Sequence, residues 1–237
     1  MSHISDRVEF PSNGDTASGY LAVPESGVGP GLLLVQEWWG LDSGLIEIAD
    51  RLAGEGFTVL APDLYRGELA GHTEMDRAGE LMSSMPPERA ARDMSGAIDY
   101  LAASDHVAGA GPAARIGVVG FCMGGMLAFH IAAARPDRVA AVVPFYGFPQ
   151  GDSQPDYAAI EAPIRAHLAE HDDFFPPSAA RELEAELKQL GKDVEFTVYP
   201  GSGHAFMAPH NALGTQDLDL YHEVWPKAVG FLRDQLA

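Results

Sequence analysis

The chain's one cysteine, Cys122, stands in "VVGFCMGGM" (118–126), with glycines on both sides of it. A thiol is a strong nucleophile once it becomes a thiolate. The spacing Gly120-x-Cys122-x-Gly124 is that of a nucleophile elbow, with cysteine where serine is commoner. In such an elbow the nucleophile sits on a strained strand-to-helix turn. A side chain at either glycine would strike the neighbouring backbone there. The helix that follows would offer its positive N-terminal end to a thiolate. No Gly-x-Ser-x-Gly occurs anywhere in the chain as a rival.

A nucleophile of this kind needs a base and an orienting acid, in the chain order nucleophile, acid, histidine. "EHDDFFPP" (170–177) supplies Asp172 and Asp173, and "GSGHAF" (201–206) supplies His204. The order is correct, each gap leaves room for a strand and a helix, and spacing does not choose between the two aspartates. His167 and His171, with these aspartates, also have a spacing found in metal sites. A strand end holds that geometry poorly without a further ligand, so the expectation is no metal and no cofactor. His130 reads as structural, and His3, His72, His210 and His222 belong to no motif.

These groups need a scaffold. Compact apolar runs at 31–36, 57–62, 115–121, 139–147, 163–170 and 194–200 end in Gly, Pro or acidic residues, as strands buried on both faces do. Between them lie helix patterns at 43–56, 86–104, 126–134, 176–192 and 219–236. Ser178 reads as the cap of the fourth, and Pro226 predicts a kink or a late start in the last. "VEF" and "SGYLAVP" read as an antiparallel hairpin feeding the sheet. The alternation predicts one α/β domain over 1–237, with a mostly parallel central sheet and helices on both faces. Asp172 and His204 then fall at C-terminal strand ends, where such sheets bind ligands.

Composition narrows the setting. The formal charge is −19, from 15 Lys+Arg against 34 Asp+Glu, which repels nucleic acid and anionic membrane. The N-terminal "MSHISDRVEF" has no basic segment followed by an apolar run. A lone cysteine forms no internal disulfide and suits a reducing compartment, so a cytoplasmic protein is expected.

The chain resembles the dienelactone hydrolase family of α/β-hydrolases over nearly its whole length. The carriers are "VQEWWG" (35–40), "APDLYRG" (61–67), "GFCMGG" (120–125), "FYG" (145–147), "HDDFFPP" (171–177) and "GSGHAF". The resemblance implies the α/β-hydrolase fold and a triad of Cys122, Asp172 and His204, favouring Asp172 over Asp173. It implies that Glu37 lies beside Cys122 and accepts the thiol proton, and that the N–H groups of Met123 and Trp38 form an oxyanion hole. Family members that cleave chlorocatechol-derived lactones hold the substrate carboxylate with arginines, one of them four residues past the histidine. That position is Ala208 here, and the segment expected to carry the other reads "HTEMDRAGELM", with Arg77 nearby. Trp39, Tyr146, Phe174, Phe175 and Met207 are expected to give the pocket an apolar, aromatic wall.

The function implied is hydrolysis of small esters or enol lactones through a thioester acyl-enzyme. It needs no partner beyond the small-molecule substrate, in a monomer or small homo-oligomer. Two alternatives stand beside it. One is a general carboxylesterase or thioesterase unrelated to chlorocatechol breakdown, which Ala208 favours. The other is a non-catalytic ligand-binding or redox-sensing protein on the same scaffold.

Overall fold

The computed structural model describes residues 4–237, so His3 lies outside the described residues. Eight strands form one sheet: β1 (Ile4–Ser12), β2 (Asp15–Val23), β3 (Gly31–Val35), β4 (Thr58–Pro62), β5 (Ile116–Phe121), β6 (Val139–Phe145), β7 (Ile164–His171) and β8 (Val194–Gly203). Their spatial order is β1-β2-β4-β3-β5-β6-β7-β8. β1 and β2 form the expected antiparallel hairpin, which joins β4 antiparallel, and every other neighbouring pair is parallel.

Six helices cover the sheet: α1 (Ser43–Gly54), α2 (Met75–Ser84), α3 (Pro87–Ala103), α4 (Met123–Ala134), α5 (Pro177–Gln189) and α6 (Leu218–Leu236). Side chains alternate across β3, so one face holds Leu33 and Val35 and the other Leu32 and Leu34. Leu33 and Val35 share a core with Met94, Ile98 and Leu101 of α3, Phe129 of α4 and Leu187 of α5. Leu32 and Leu34 share the other with Ile48 and Leu52 of α1 and Val229 and Leu232 of α6. Burying each such leucine is worth roughly 1.5–3 kcal/mol. A strand enclosed on both faces therefore reads as an unbroken apolar run.

Two helix ends differ from expectation. α5 starts after Pro176, whose fixed backbone sets the entry, and Ser178 lies inside the first turn without capping it. α6 starts early, at Leu218, because the Asp217 carboxylate accepts the Leu220 N–H. The helix then runs through Pro226 to Leu236.

Loops at the C-terminal sheet edge are pinned by buried polar groups. Asp63 accepts from the Tyr65 and Gly67 N–H groups, and Gln36 Oε1 accepts from the Leu64 N–H. This ties "PDLYRG" to the end of β3. Asp93 on α3 is fully buried, accepts from the Ser12 hydroxyl and pairs with Arg66 at 3.2 Å.

Candidate active site

Cys122 follows β5 directly and precedes α4, with φ 52° and ψ −116°. A non-glycine residue there is strained, and the surroundings show how the strain is held. A Cβ on Gly120 would strike the Gly124 carbonyl, one on Gly124 the Val35 carbonyl, and one on Gly147 the Cys122 carbonyl. The Cys122 N–H donates to the Phe145 carbonyl at 3.0 Å. "FYG" is therefore the rail against which the elbow rests.

Asp172 and His204 follow β7 and β8 without an intervening residue. His204 Nδ1 lies 2.8 Å from Asp172 Oδ2, and both side chains are almost wholly enclosed. Asp172 Oδ1 accepts the N–H groups of Phe174 and Phe175, each at 2.9 Å. Asp173 is exposed. Since Nδ1 faces the carboxylate, Nε2 is the nitrogen left for chemistry.

Cys122 and His204 line one cavity of about 350 Å³ together with Trp38, Met82, Met123, Met126, Gln150, Phe174, Phe175 and Leu213. No arginine or lysine is among these lining residues. Arg77 is spent on Glu68 and Glu80 at the surface. Phe174 and Phe175 pack against the His204 ring, at centroid distances of 4.9 and 5.8 Å. Trp39, Tyr146 and Met207, also expected in the wall, are buried and absent from this lining, with the Tyr146 ring edge-on to His204 at 5.1 Å.

Burial pushes the Cys122 thiol well above the usual cysteine range, and the Glu37 charge adds to this. The Met123 N–H at the start of α4 pulls the other way and is outweighed. Glu37 itself is bonded to His210, with Oε2 2.8 Å from Nε2. The Trp38 N–H makes no turn or loop hydrogen bond to backbone among the described residues. His167 is buried against the Tyr199 hydroxyl at 2.8 Å, whereas His171 is exposed.

Sequence reasoning passed over His210, His72 and Asp42, which gather around Glu37, and over Met82, Met126, Gln150 and Leu213 in the wall. The one available signal for His210 was its place two residues past Ala208, on the loop that follows His204.

A sheet in this strand order, with the elbow at the end of β5 and the acid and histidine after β7 and β8, is the α/β-hydrolase fold. Residues 17–236 match the model of the dienelactone hydrolase family. The chain belongs to that family, and is an enzyme of the class that hydrolyses esters and lactones. It is 36% identical to "Protein usf" of Aquifex pyrophilus over 98% of this chain and all of that one. It is equally identical, over the same shares, to the "Putative carboxymethylenebutenolidase" of Aquifex aeolicus strain VF5. Among solved structures, dienelactone hydrolase from Anabaena variabilis superposes with a TM-score of 0.70 at 18% identity, over the full length of both chains.

Among the described residues no helix is long and apolar enough to cross a membrane.

Proposed function

We propose that the chain is a cysteine-nucleophile hydrolase, one domain over 1–237, acting on small uncharged esters or lactones with an apolar acyl or alcohol part. One observation carries this reading. Cys122 and the Asp172-bound His204 share a cavity whose other walls are Trp, Met, Phe, Leu and a single amide.

In this mechanism His204 Nε2 takes the thiol proton and Cys122 attacks the carbonyl carbon. Charge then gathers on the carbonyl oxygen, where the N–H groups of Met123 and Trp38 receive it. The alcohol leaves with the proton from His204, giving a thioester. Water, activated by His204, breaks the thioester and frees the acid. Because burial and Glu37 hold the sulfur as a thiol, proton removal is a step that substrate binding must drive. Glu37 serves as a second acceptor close to the sulfur. The lone thiol and acidic surface support a reducing, cytoplasmic setting.

The absence of a cation from the lining favours neutral substrates over carboxylate-bearing lactones, since an unpaired carboxylate is costly in a dry cleft. The test compares p-nitrophenyl acetate, a neutral lactone and a carboxylate-bearing dienelactone on the wild type and Cys122→Ala. Turnover should fall to background in the variant. The wild type should favour the neutral lactone by roughly tenfold or more in kcat/KM, a factor equal to about 1.4 kcal/mol. Equal rates in Cys122→Ala would remove the cysteine from the mechanism, and a preference for the anionic lactone would overturn the substrate class.

A further inference from the structure

Four titratable side chains from three separate loops stand in a row that ends at Glu37, the charge that weighs most on Cys122. Asp42, the cap of α1, uses Oδ1 to accept the Leu45 N–H and Oδ2 to meet His72 Nε2 at 2.6 Å. The His72 ring lies over the His210 ring, centroids 4.0 Å apart and planes tilted by 34°. His210 Nε2 then meets Glu37 at 2.8 Å, the two side chains being 9% and 11% exposed. Trp39 lies edge-on to both imidazoles, at 5.3 and 5.9 Å. The order is carboxylate, imidazole, imidazole, carboxylate, and His72 is the member most open to solvent.

The contacts define the proton positions. The Ala212 N–H is directed at His210 Nδ1, 3.5 Å away. A neutral His210 therefore carries its proton on Nε2 and donates it to Glu37. A second proton on Nδ1 makes the ring a cation, for which Glu37 and Asp42 are the counter-charges and His72 the stacked neighbour. Burial pulls His210 down, but the Glu37 hydrogen bond and charge, joined by Asp42, outweigh it, so the ring titrates above the ordinary histidine range. Cys122 in turn is faced by Glu37, Asp172, Tyr65 and Tyr146, with His204 lining the same cavity. Of the charges, Glu37 weighs most on the sulfur.

We propose that His210 is a positioning residue that holds Glu37 and sets the net charge beside Cys122, with His72 and Asp42 as its backing. With His210 protonated, the His210–Glu37 pair is neutral and thiolate formation is relieved. Once His210 gives up its proton, the pair carries one negative charge next to the sulfur, and thiolate formation is opposed. A permanently charged residue in this place would hold Glu37 at every pH. An imidazole makes the hold titratable.

This rests on Cys122 being the reactive group, and the test reads the sulfur directly, without turnover. The rate of Cys122 alkylation by iodoacetamide is followed against pH. In the wild type the logarithm of the rate should rise, flatten into a shoulder while His210 loses its proton, then rise again to a plateau. His210→Gln brings an amide N–H to the depth of Nε2 for Glu37 but carries no charge. Its shoulder should vanish, and its rate near neutrality should fall by roughly three- to tenfold, a shift of up to about one pKa unit. Glu37→Gln should move the shoulder to lower pH, because His210 loses its counter-charge, and should react faster, because the opposing charge is gone. Above that shoulder the double variant should match Glu37→Gln alone, the non-additivity expected of one coupled pair. His72→Asn leaves Asp42 facing His210 alone, and should move the shoulder to higher pH.

A His210→Gln profile that superimposes on the wild type would overturn the proposal, as would a Glu37→Gln rate below the wild type. An unmoved shoulder in His72→Asn would remove His72 and Asp42 from the row. A shoulder that persists in a protein with no esterase turnover would instead sink the hydrolase reading and leave this one standing.

Discussion

At the scale of single residues, the site depends on which of two adjacent carboxylates folds inward. Asp172 is enclosed and spends one oxygen on His204 and the other on two backbone N–H groups, so it is fixed in place. Asp173 faces solvent. Asp172→Asn should keep the fold while disturbing the His204 tautomer, and lower kcat by on the order of 10³–10⁴ with little change in KM. Steady-state kinetics with p-nitrophenyl acetate checks this, and Asp173→Asn serves as the control within about twofold. Spacing in the chain placed an acid and a histidine at strand ends but left Asp172 and Asp173 equivalent, because burial is decided by packing around Phe174 and Phe175. The balance of effects on Cys122 was hidden for a related reason. A helix N-terminus is visible in sequence, whereas the desolvation and the Glu37 charge that outweigh it are not. The pairing of His210 with Glu37 was not legible either, since it spans 173 residues of sequence.

At the scale of elements, the buried strands were the most legible features. The runs 31–36, 57–62 and 115–121 correspond to β3, β4 and β5 within a residue at either end, because a strand covered on both faces has no polar position to blur it. α2 was missed because only Ala78 and Leu81 of it are buried, too little for a readable stripe. Ser178 misled because a serine near a helix start caps only when the backbone begins beside it, and Pro176 moved that beginning. The Asp93 cluster joins α3 to the β1–β2 hairpin and to the "PDLYRG" loop through Ser12 and Arg66. Removing the buried carboxylate would leave a hydroxyl and a half-open guanidinium without it. Asp93→Ala should therefore lower the unfolding free energy by about 2–3 kcal/mol, below the usual cost for a broken buried pair because water still reaches Arg66. Urea denaturation should show a lower midpoint with an unchanged slope.

At the scale of the whole molecule, strand–helix alternation gave the mostly parallel sheet, but not the order in which its strands lie. That order depends on pairings such as β3 with β5, whose partners are more than 80 residues apart in the chain. It is also what brings four strand ends to one rim, where Glu37, Cys122, Asp172 and His204 are gathered. The molecule carries one thiol in 237 residues, so a thioester formed anywhere on it must be on Cys122. Intact-protein mass spectrometry of enzyme mixed with p-nitrophenyl acetate and quenched in acid within milliseconds exploits this. The account predicts a single acetyl group per chain, released by hydroxylamine at neutral pH and absent from Cys122→Ala. An acetyl group that persists on the alanine variant, together with undiminished turnover, would contradict it.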